Sequence, residues 1–109
     1  MNISFHKLPA VYGLQGRFEA QPGKGDELAA LLLEAANAMR RLDDCLLYVV
    51  GRLPDKPEAV LVHEVWSSAQ AHRASLDREE TKAAIERGRP LIAGMSERVE
   101  FEPVGGKGI

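Results

Sequence analysis

Residues capable of acid–base and binding chemistry lie close together in the stretch VHEVW, from Val62 to Trp66. Successive side chains of a β-strand point to opposite faces, so Glu64 and Trp66 share one face with Val60 and Val62. A carboxyl group beside an indole in apolar surroundings can transfer protons at the wall of a binding pocket. We therefore predict that Glu64 is catalytic and that Trp66 and Val62 bind the substrate.

The same spacing also fits a purely structural strand. Trp66 would then fill the core. Glu64 would pair across the sheet with Arg17 or Arg52, because an unpaired charge among apolar side chains is costly. The residues alone leave both interpretations open.

Two further side chains are candidates for proton transfer. His72 lies on a predicted helix just after the strand, and an imidazole titrates near neutral pH, so His72 is a candidate general base. Its place beside Ala69 and Leu76 on one helix face fits a half-buried structural histidine as well. Tyr48, on another predicted strand, could donate a hydrogen bond to a substrate oxygen or simply pack in the core.

The first predicted strand adds two polar candidates. Gln15 and Arg17 lie on its polar face and are predicted to bind a substrate oxygen, although pairing with Glu64 would explain Arg17 equally well. His63 points away from Trp66, and we expect it on the helix side of the sheet.

Composition argues against several classes of protein. The chain has one cysteine and three histidines and lacks an H-x-x-x-H pair, so we predict no metal, and no cofactor motif is seen. A net charge of -2 without a basic stripe argues against nucleic-acid binding. The sequence contains neither an apolar run of membrane-spanning length nor a signal-peptide core at its start. We therefore expect a cytoplasmic protein that does not bind membranes.

Apolar periodicity and turn signals place the candidates on strands and helices. Strands are predicted at residues 11–20, 45–53, 59–66 and 97–104. A helix with one apolar stripe begins at Gly25 or Asp26 and ends near RRLDD. Later helices begin at capping-box signals, Ser67 and Asp77. PDKPE is predicted to be a turn, and Pro90 to kink or restart the last helix.

The resulting order, βαββαβ, predicts an α+β fold with a ferredoxin-like antiparallel sheet and its helices on one face. We assign residues 1–10 to an N-terminal arm, residues 11–104 to a single domain and residues 105–109 to a flexible C-terminal tail. The strand CLLYVVGRL is apolar on both faces, so the face without helices needs a cover. We predict a homodimer through that sheet face, with a barrel-like interior.

Several segments of this chain resemble the antibiotic biosynthesis monooxygenase family over about residues 11–104. They are PGKGDEL, CLLYVV, EVW followed by SSAQA, and KAAIERG. The resemblance implies a dimeric α/β barrel that oxidises a small aromatic, quinol or polyketide-like substrate with molecular oxygen, without metal or flavin. An electron-rich substrate deprotonated in a dry pocket can itself reduce oxygen, which requires an apolar cavity and groups that move protons.

The sequence departs from this family at two positions. Ser75 and Glu80 stand where many relatives carry histidines, and His72 lies three residues before the first of them. Ile85 aligns with the axial histidine of a haem-degrading branch, so haem is disfavoured. Two alternatives therefore stay open: an isomerase or proton-transfer enzyme acting on a small carbonyl compound, and a dimer that binds a small ligand without catalysis.

Overall fold

Strands and helices follow one another in the predicted order along residues 11–109, the part of the chain that the computed structural model describes. The elements are β1 Tyr12–Ala20, α1 Gly25–Met39, β2 Cys45–Leu53, β3 Lys56–Trp66, α2 Ala69–Leu76, α3 Glu79–Gly88 and β4 Ile92–Phe101, with a 3-10 turn at Arg89–Leu91 between α3 and β4. Residues 105–109 form neither helix nor strand. The predicted N-terminal arm, residues 1–10, lies outside the described residues.

The four strands form one antiparallel sheet in the order β2-β3-β1-β4. This order confirms the predicted ferredoxin-like α+β fold. Helix α1 packs across β2, β3 and β1, and α2 packs on β3. Between α1 and the sheet lies a core in which Leu28 and Val60 are fully buried, with Ala20 and Ala29 beside them. No helix in residues 11–109 has the length and apolar character needed to cross a membrane.

The register of β3 decides which side chains meet under the helices. Trp66 pairs with Tyr12 on β1 and with Cys45 on β2, while Glu64 pairs with Leu14 and with Tyr48. Directly opposite residues of paired strands point to the same face. The predicted common face of Glu64 and Trp66 is confirmed, and it is the face that the helices cover.

The prediction for His63 was wrong, because that residue lies on the face without helices. Trp66, Val60 and Val62 turn toward the helices, so alternation along β3 sends His63 to the other side. There it pairs with Gln15 and Val49, and its ring centroid lies 5.4 Å from that of Phe101.

Helix α1 begins where predicted and presents the predicted apolar stripe to the sheet. At its first residue, Gly25, a Cβ atom would collide with the carbonyl oxygen of Pro57, so this position must stay free of a side chain for α1 to dock on β3. The stripe includes Leu28, Leu31, Leu32, Ala35 and Met39. The helix ends at Met39, earlier than RRLDD.

Strand β3 starts at Lys56 rather than at Ala59, so PDKPE is only partly a turn. The pairing shifts between Arg52 and Leu53, and this irregularity accommodates Pro57, which has no N–H to donate. The carbonyl of Pro57 accepts a hydrogen bond from Arg52 Nη2 at 2.6 Å.

The two predicted capping residues were each displaced. The N-cap of α2 is Ser68, whose hydroxyl accepts the Ala71 N–H at 3.0 Å, whereas Ser67 donates to Asp44 at 2.6 Å. Asp77 closes α2 instead of opening α3, which begins at Glu79 after an extended Arg78.

The last strand begins at Ile92, not at residue 97. Pro90 ends the helical segment with a 3-10 turn, and the chain then enters the sheet directly. At Glu97 the backbone has φ 51°, and the pairing of β4 with β1 shifts register there. This bulge interrupts the alternation, so the pattern is regular only after it.

Candidate active site

A cavity of about 570 Å³ lies between the sheet and the three helices. Apolar side chains from the three helices, β1 and β4 form most of its wall: Leu14, Phe18, Leu28, Leu31, Leu32, Ala35, Met39, Leu76, Ala84, Ile85 and Ile92. Pockets of this size and character suit small, largely apolar ligands.

Glu64 and Trp66 form a hydrogen-bonded pair in the cavity wall. Trp66 Nε1 donates to Glu64 Oε1 at 2.9 Å, and Trp66 is only 1% exposed. The indole thus serves both as core and as cavity wall. The expected cross-sheet ion pair is absent from this arrangement, because Arg17 lies on the opposite face and Arg52 binds Asp26 at 3.0 Å near the start of α1.

His72 on α2 packs against this pair. Its Nε2 lies 3.9 Å from Glu64 Oε1, a close approach rather than a hydrogen bond. Its ring lies between two aromatic rings, with centroid distances of 5.6 Å to Trp66, edge-on, and 5.3 Å to Tyr12. The imidazole is therefore held in a fixed position at the cavity wall.

Burial sets the protonation of Glu64 and His72, the acid–base pair of the cavity. Burial raises the pKa of Glu64, an effect opposed by the Trp66 hydrogen bond and by the charge of Arg98. Burial lowers the pKa of His72, with a further lowering from Arg98 and an opposing contribution from Glu100. At neutral pH the imidazole is therefore neutral and can accept a proton.

Tyr48 and Cys45 on β2 complete this part of the sheet. Burial and then the nearby charge of Glu64 raise the pKa of the Tyr48 phenol, which therefore remains a hydrogen-bond donor in the cavity. Burial, followed by Glu64, raises the pKa of the half-buried Cys45 thiol to about 11, so it stays protonated at neutral pH.

A chain of polar contacts on β1 and β4 adjoins the cavity, and sequence reasoning missed it. The Tyr12 hydroxyl donates to Glu100 Oε2 at 2.8 Å, and Arg98 Nη1 donates to Glu100 Oε1 at 2.9 Å. Arg98 itself lines the cavity. The alternation of ERVEFEPV had already separated Arg98 and Glu100 from Val99 and Phe101, so this signal was present.

Three predicted substrate-binding residues do not line the cavity. Gln15 and Arg17 lie on the open face of the sheet, where Gln15 Oε1 approaches His63 Nδ1 at 3.1 Å and Arg17 contacts Glu19. Val62 is on the helix side but is packed beneath its neighbours, 4% exposed. Trp66, Glu64, His72 and Tyr48 are brought together at the cavity.

The positions singled out by the family resemblance, Ser75, Glu80 and Ile85, all line the cavity. The Ser75 hydroxyl donates to the carbonyl oxygen of His72 at 2.6 Å, which ties it to the helix backbone. Glu80 lies 3.7 Å from Arg78. Within residues 11–109, no three His, Cys, Asp or Glu side chains form a group suited to a metal ion.

Comparison with known proteins agrees with this geometry. The profile of the antibiotic biosynthesis monooxygenase family matches residues 11–87. A crystal structure from Chloroflexus aurantiacus, assigned to the same family, is 45% identical, with a TM-score of 0.82 over 89% of this chain and 96% of that one. No curated protein matches at a significant level.

More distant structures share the fold. A Deinococcus radiodurans protein assigned to the same family is 25% identical, with a TM-score of 0.75 over 87% of this chain and 94% of that one. A variant of SnoaB, a cofactor-independent oxygenase from Streptomyces nogalater, is 18% identical, with a TM-score of 0.75 over 89% of this chain and 96% of that one.

Proposed function

Because the chain belongs to the antibiotic biosynthesis monooxygenase family, we propose that it is a cofactor-independent monooxygenase that oxidises a small aromatic, quinol or polyketide-like substrate with molecular oxygen. One observation carries the proposal: a largely apolar cavity of about 570 Å³ has a neutral imidazole, a buried carboxyl group and an indole at one part of its wall.

In the proposed reaction the substrate supplies all the electrons. A base removes a proton from an acidic ring CH2 group, and the carbanion adds oxygen to form a C–O bond. Protonation gives a hydroperoxide, which loses water by O–O cleavage and leaves a carbonyl group. One oxygen atom enters the product and the other leaves as water. The apolar walls favour this course, because they exclude water from the reactive anion.

Each polar side chain then has a distinct role. His72 accepts the substrate proton, because burial keeps its imidazole neutral at neutral pH. Glu64 holds the indole of Trp66 and lies close enough to His72 to favour the imidazolium once it forms. Tyr48 donates to the substrate oxygen, and Trp66 provides a flat wall for the ring.

Oxygen consumption by the metal-free protein with a panel of anthrones and quinols tests the proposal. Wild type should consume oxygen with at least one of them. His72→Gln should slow turnover about a hundredfold, the usual contribution of a general base. His63→Gln is the matched control, since it makes the same change on the opposite face of the sheet, and it should leave turnover unchanged. Absence of turnover with every substrate would contradict the proposal, and a small molecule that binds and stays unchanged would favour the non-catalytic alternative.

We also propose that two copies associate through the sheet face without helices. Val49 on β2 is 50% exposed and Val99 on β4 is 44% exposed, and both lie on that face in one row with His63 and Gln15. Apolar side chains of this size gain roughly 1.5–3 kcal/mol each when fully buried. A second copy offers the same surface and would cover both.

A further inference from the structure

Arg98 is one of three arginines that line the largely apolar cavity, on the same side of the sheet as Glu64 and His72. It lies on β4, two residues before Glu100, and its Nη1 donates to Glu100 Oε1 at 2.9 Å. Glu100 does not line this cavity. It faces a second, shallower hollow outside, which it shares with Tyr12 and Phe101. The Arg98 side chain is 55% exposed and is held by this carboxylate, so Arg98 lies at the open edge of the cavity.

The other cavity arginines are placed differently. Arg89 Nε lies 3.1 Å from Glu86, and Arg78 lies 3.7 Å from Glu80, which itself belongs to the cavity wall. Arg98 is the arginine whose charge acts on both Glu64 and His72. A ligand that extends from Trp66 and His72 to the open edge of the cavity would reach the guanidinium of Arg98, which lines the same cavity.

We propose that Arg98 is the anion-binding residue of this cavity and that the substrate carries an ionised oxygen, as a phenolate, enolate or carboxylate, on an apolar ring. The role of Arg98 in catalysis rests on the proposed function, and the inference adds that the substrate is negatively charged. A guanidinium bonds to such an oxygen with charge-assisted hydrogen bonds, which are about twice as strong as neutral ones. The same contact stabilises the negative charge that proton removal by His72 creates on the ring oxygen.

A matched pair of ligands tests this assignment without any turnover. Naphthoate and naphthamide have the same ring and nearly the same shape, and only the first is an anion near neutral pH. Calorimetric titration of the wild type should show naphthoate binding about tenfold more tightly, the effect expected for one charge-assisted contact. Arg98→Gln should bring the ratio of the two affinities close to one while the affinity for naphthamide is kept.

Arg87→Gln is the matched control, because it removes the same charge from α3, where Arg87 lies 3.3 Å from Glu34 on the surface. This variant should keep the wild-type preference. The inference is overturned if Arg98→Gln retains the preference, if wild type shows none, or if wild type binds neither ligand. Oxygen consumption does not enter these measurements, so the anion preference stands or falls separately from the monooxygenase activity.

Discussion

At the scale of single residues, Glu64 and Trp66 satisfy two requirements together. The sequence raised a choice between a pocket wall and a structural strand, and the structure combines both roles. The indole of Trp66 is buried in the core. Its N–H donates a hydrogen bond to Glu64, which offsets part of the free energy needed to bury the carboxyl group. The same pair presents an apolar face and an acid to the cavity.

The pH dependence of catalysis follows from the surroundings of His72. The groups facing it are Glu64, Tyr12, Trp66, Arg98 and Glu100, with Arg73 on its own helix. Activity requires the neutral imidazole, so kcat/KM should fall as the pH drops through the His72 pKa. Because burial and Arg98 lower that pKa, the midpoint of the acid limb should lie below 6.5.

Two exposed substitutions check the assignment of this limb to His72. Arg73→Gln removes a charge that lowers the His72 pKa, so the midpoint should move to higher pH. Glu100→Gln removes a charge that raises it, so the midpoint should move to lower pH. Shifts in the same direction for both variants, or a wild-type midpoint above 6.5, would show that another group controls the limb.

Some site residues could be predicted from the sequence and others could not. Alternation along a strand fixed the relative orientation of Glu64, Trp66 and His63. It does not encode which face the helices cover, and that is why His63 was assigned to the wrong side. Arg98 was not singled out from the sequence, since the polar face of an edge strand has the same pattern whether water or a cavity lies beyond it.

At the scale of elements, order was predictable and boundaries were not. Apolar periodicity and capping signals identified the four strands and three α-helices of residues 11–109, and the order of these elements predicted the sheet topology. The boundaries shifted at Pro57 and Glu97, where bulges break the two-residue period that identifies a strand. The capping signals at Ser67 and Asp77 were displaced because Ser68 is also a good cap and Ser67 instead binds Asp44.

The docking of α1 on β3 should depend on Gly25. Alanine there would press its Cβ atom into the Pro57 carbonyl, which lies in the sheet and cannot move freely. We expect Gly25→Ala to lower the free energy of unfolding by about 1–3 kcal/mol, the range for forced overpacking. Urea denaturation measures the change.

Gly94→Ala provides the comparison for this experiment. Gly94 lies on β4 with open space around its Cβ position, so its substitution should change stability by no more than about 0.5 kcal/mol. Equal stability of the Gly25 and Gly94 variants would mean that α1 can shift on the sheet without cost.

At the scale of the whole molecule, the two faces of the sheet have different tasks. The helices cover one face, and the cavity lies between them and the sheet. The other face carries exposed valines around His63 and Gln15. A partner on that face would leave the cavity intact, because the cavity lies on the far side of the sheet.

Sedimentation of two matched variants tests the proposed dimer. Val49→Glu places a charge on the open face, and Leu33→Glu places one on the outer surface of α1, where Leu33 is 53% exposed. Wild type and Leu33→Glu should sediment as dimers at micromolar concentration, and Val49→Glu as a monomer. A monomeric wild type would refute the dimer, and dimeric Val49→Glu would move its interface elsewhere.

The most direct test of the account is the fate of isotopically labelled molecular oxygen. The metal-free protein is incubated with a chelator, labelled oxygen and an anthrone, and the mass of the product is measured by mass spectrometry. If the chain is a cofactor-independent monooxygenase, the product carries one labelled oxygen atom and the other appears in water. A product whose new oxygen is unlabelled, or no product from any substrate of the panel, would contradict the account.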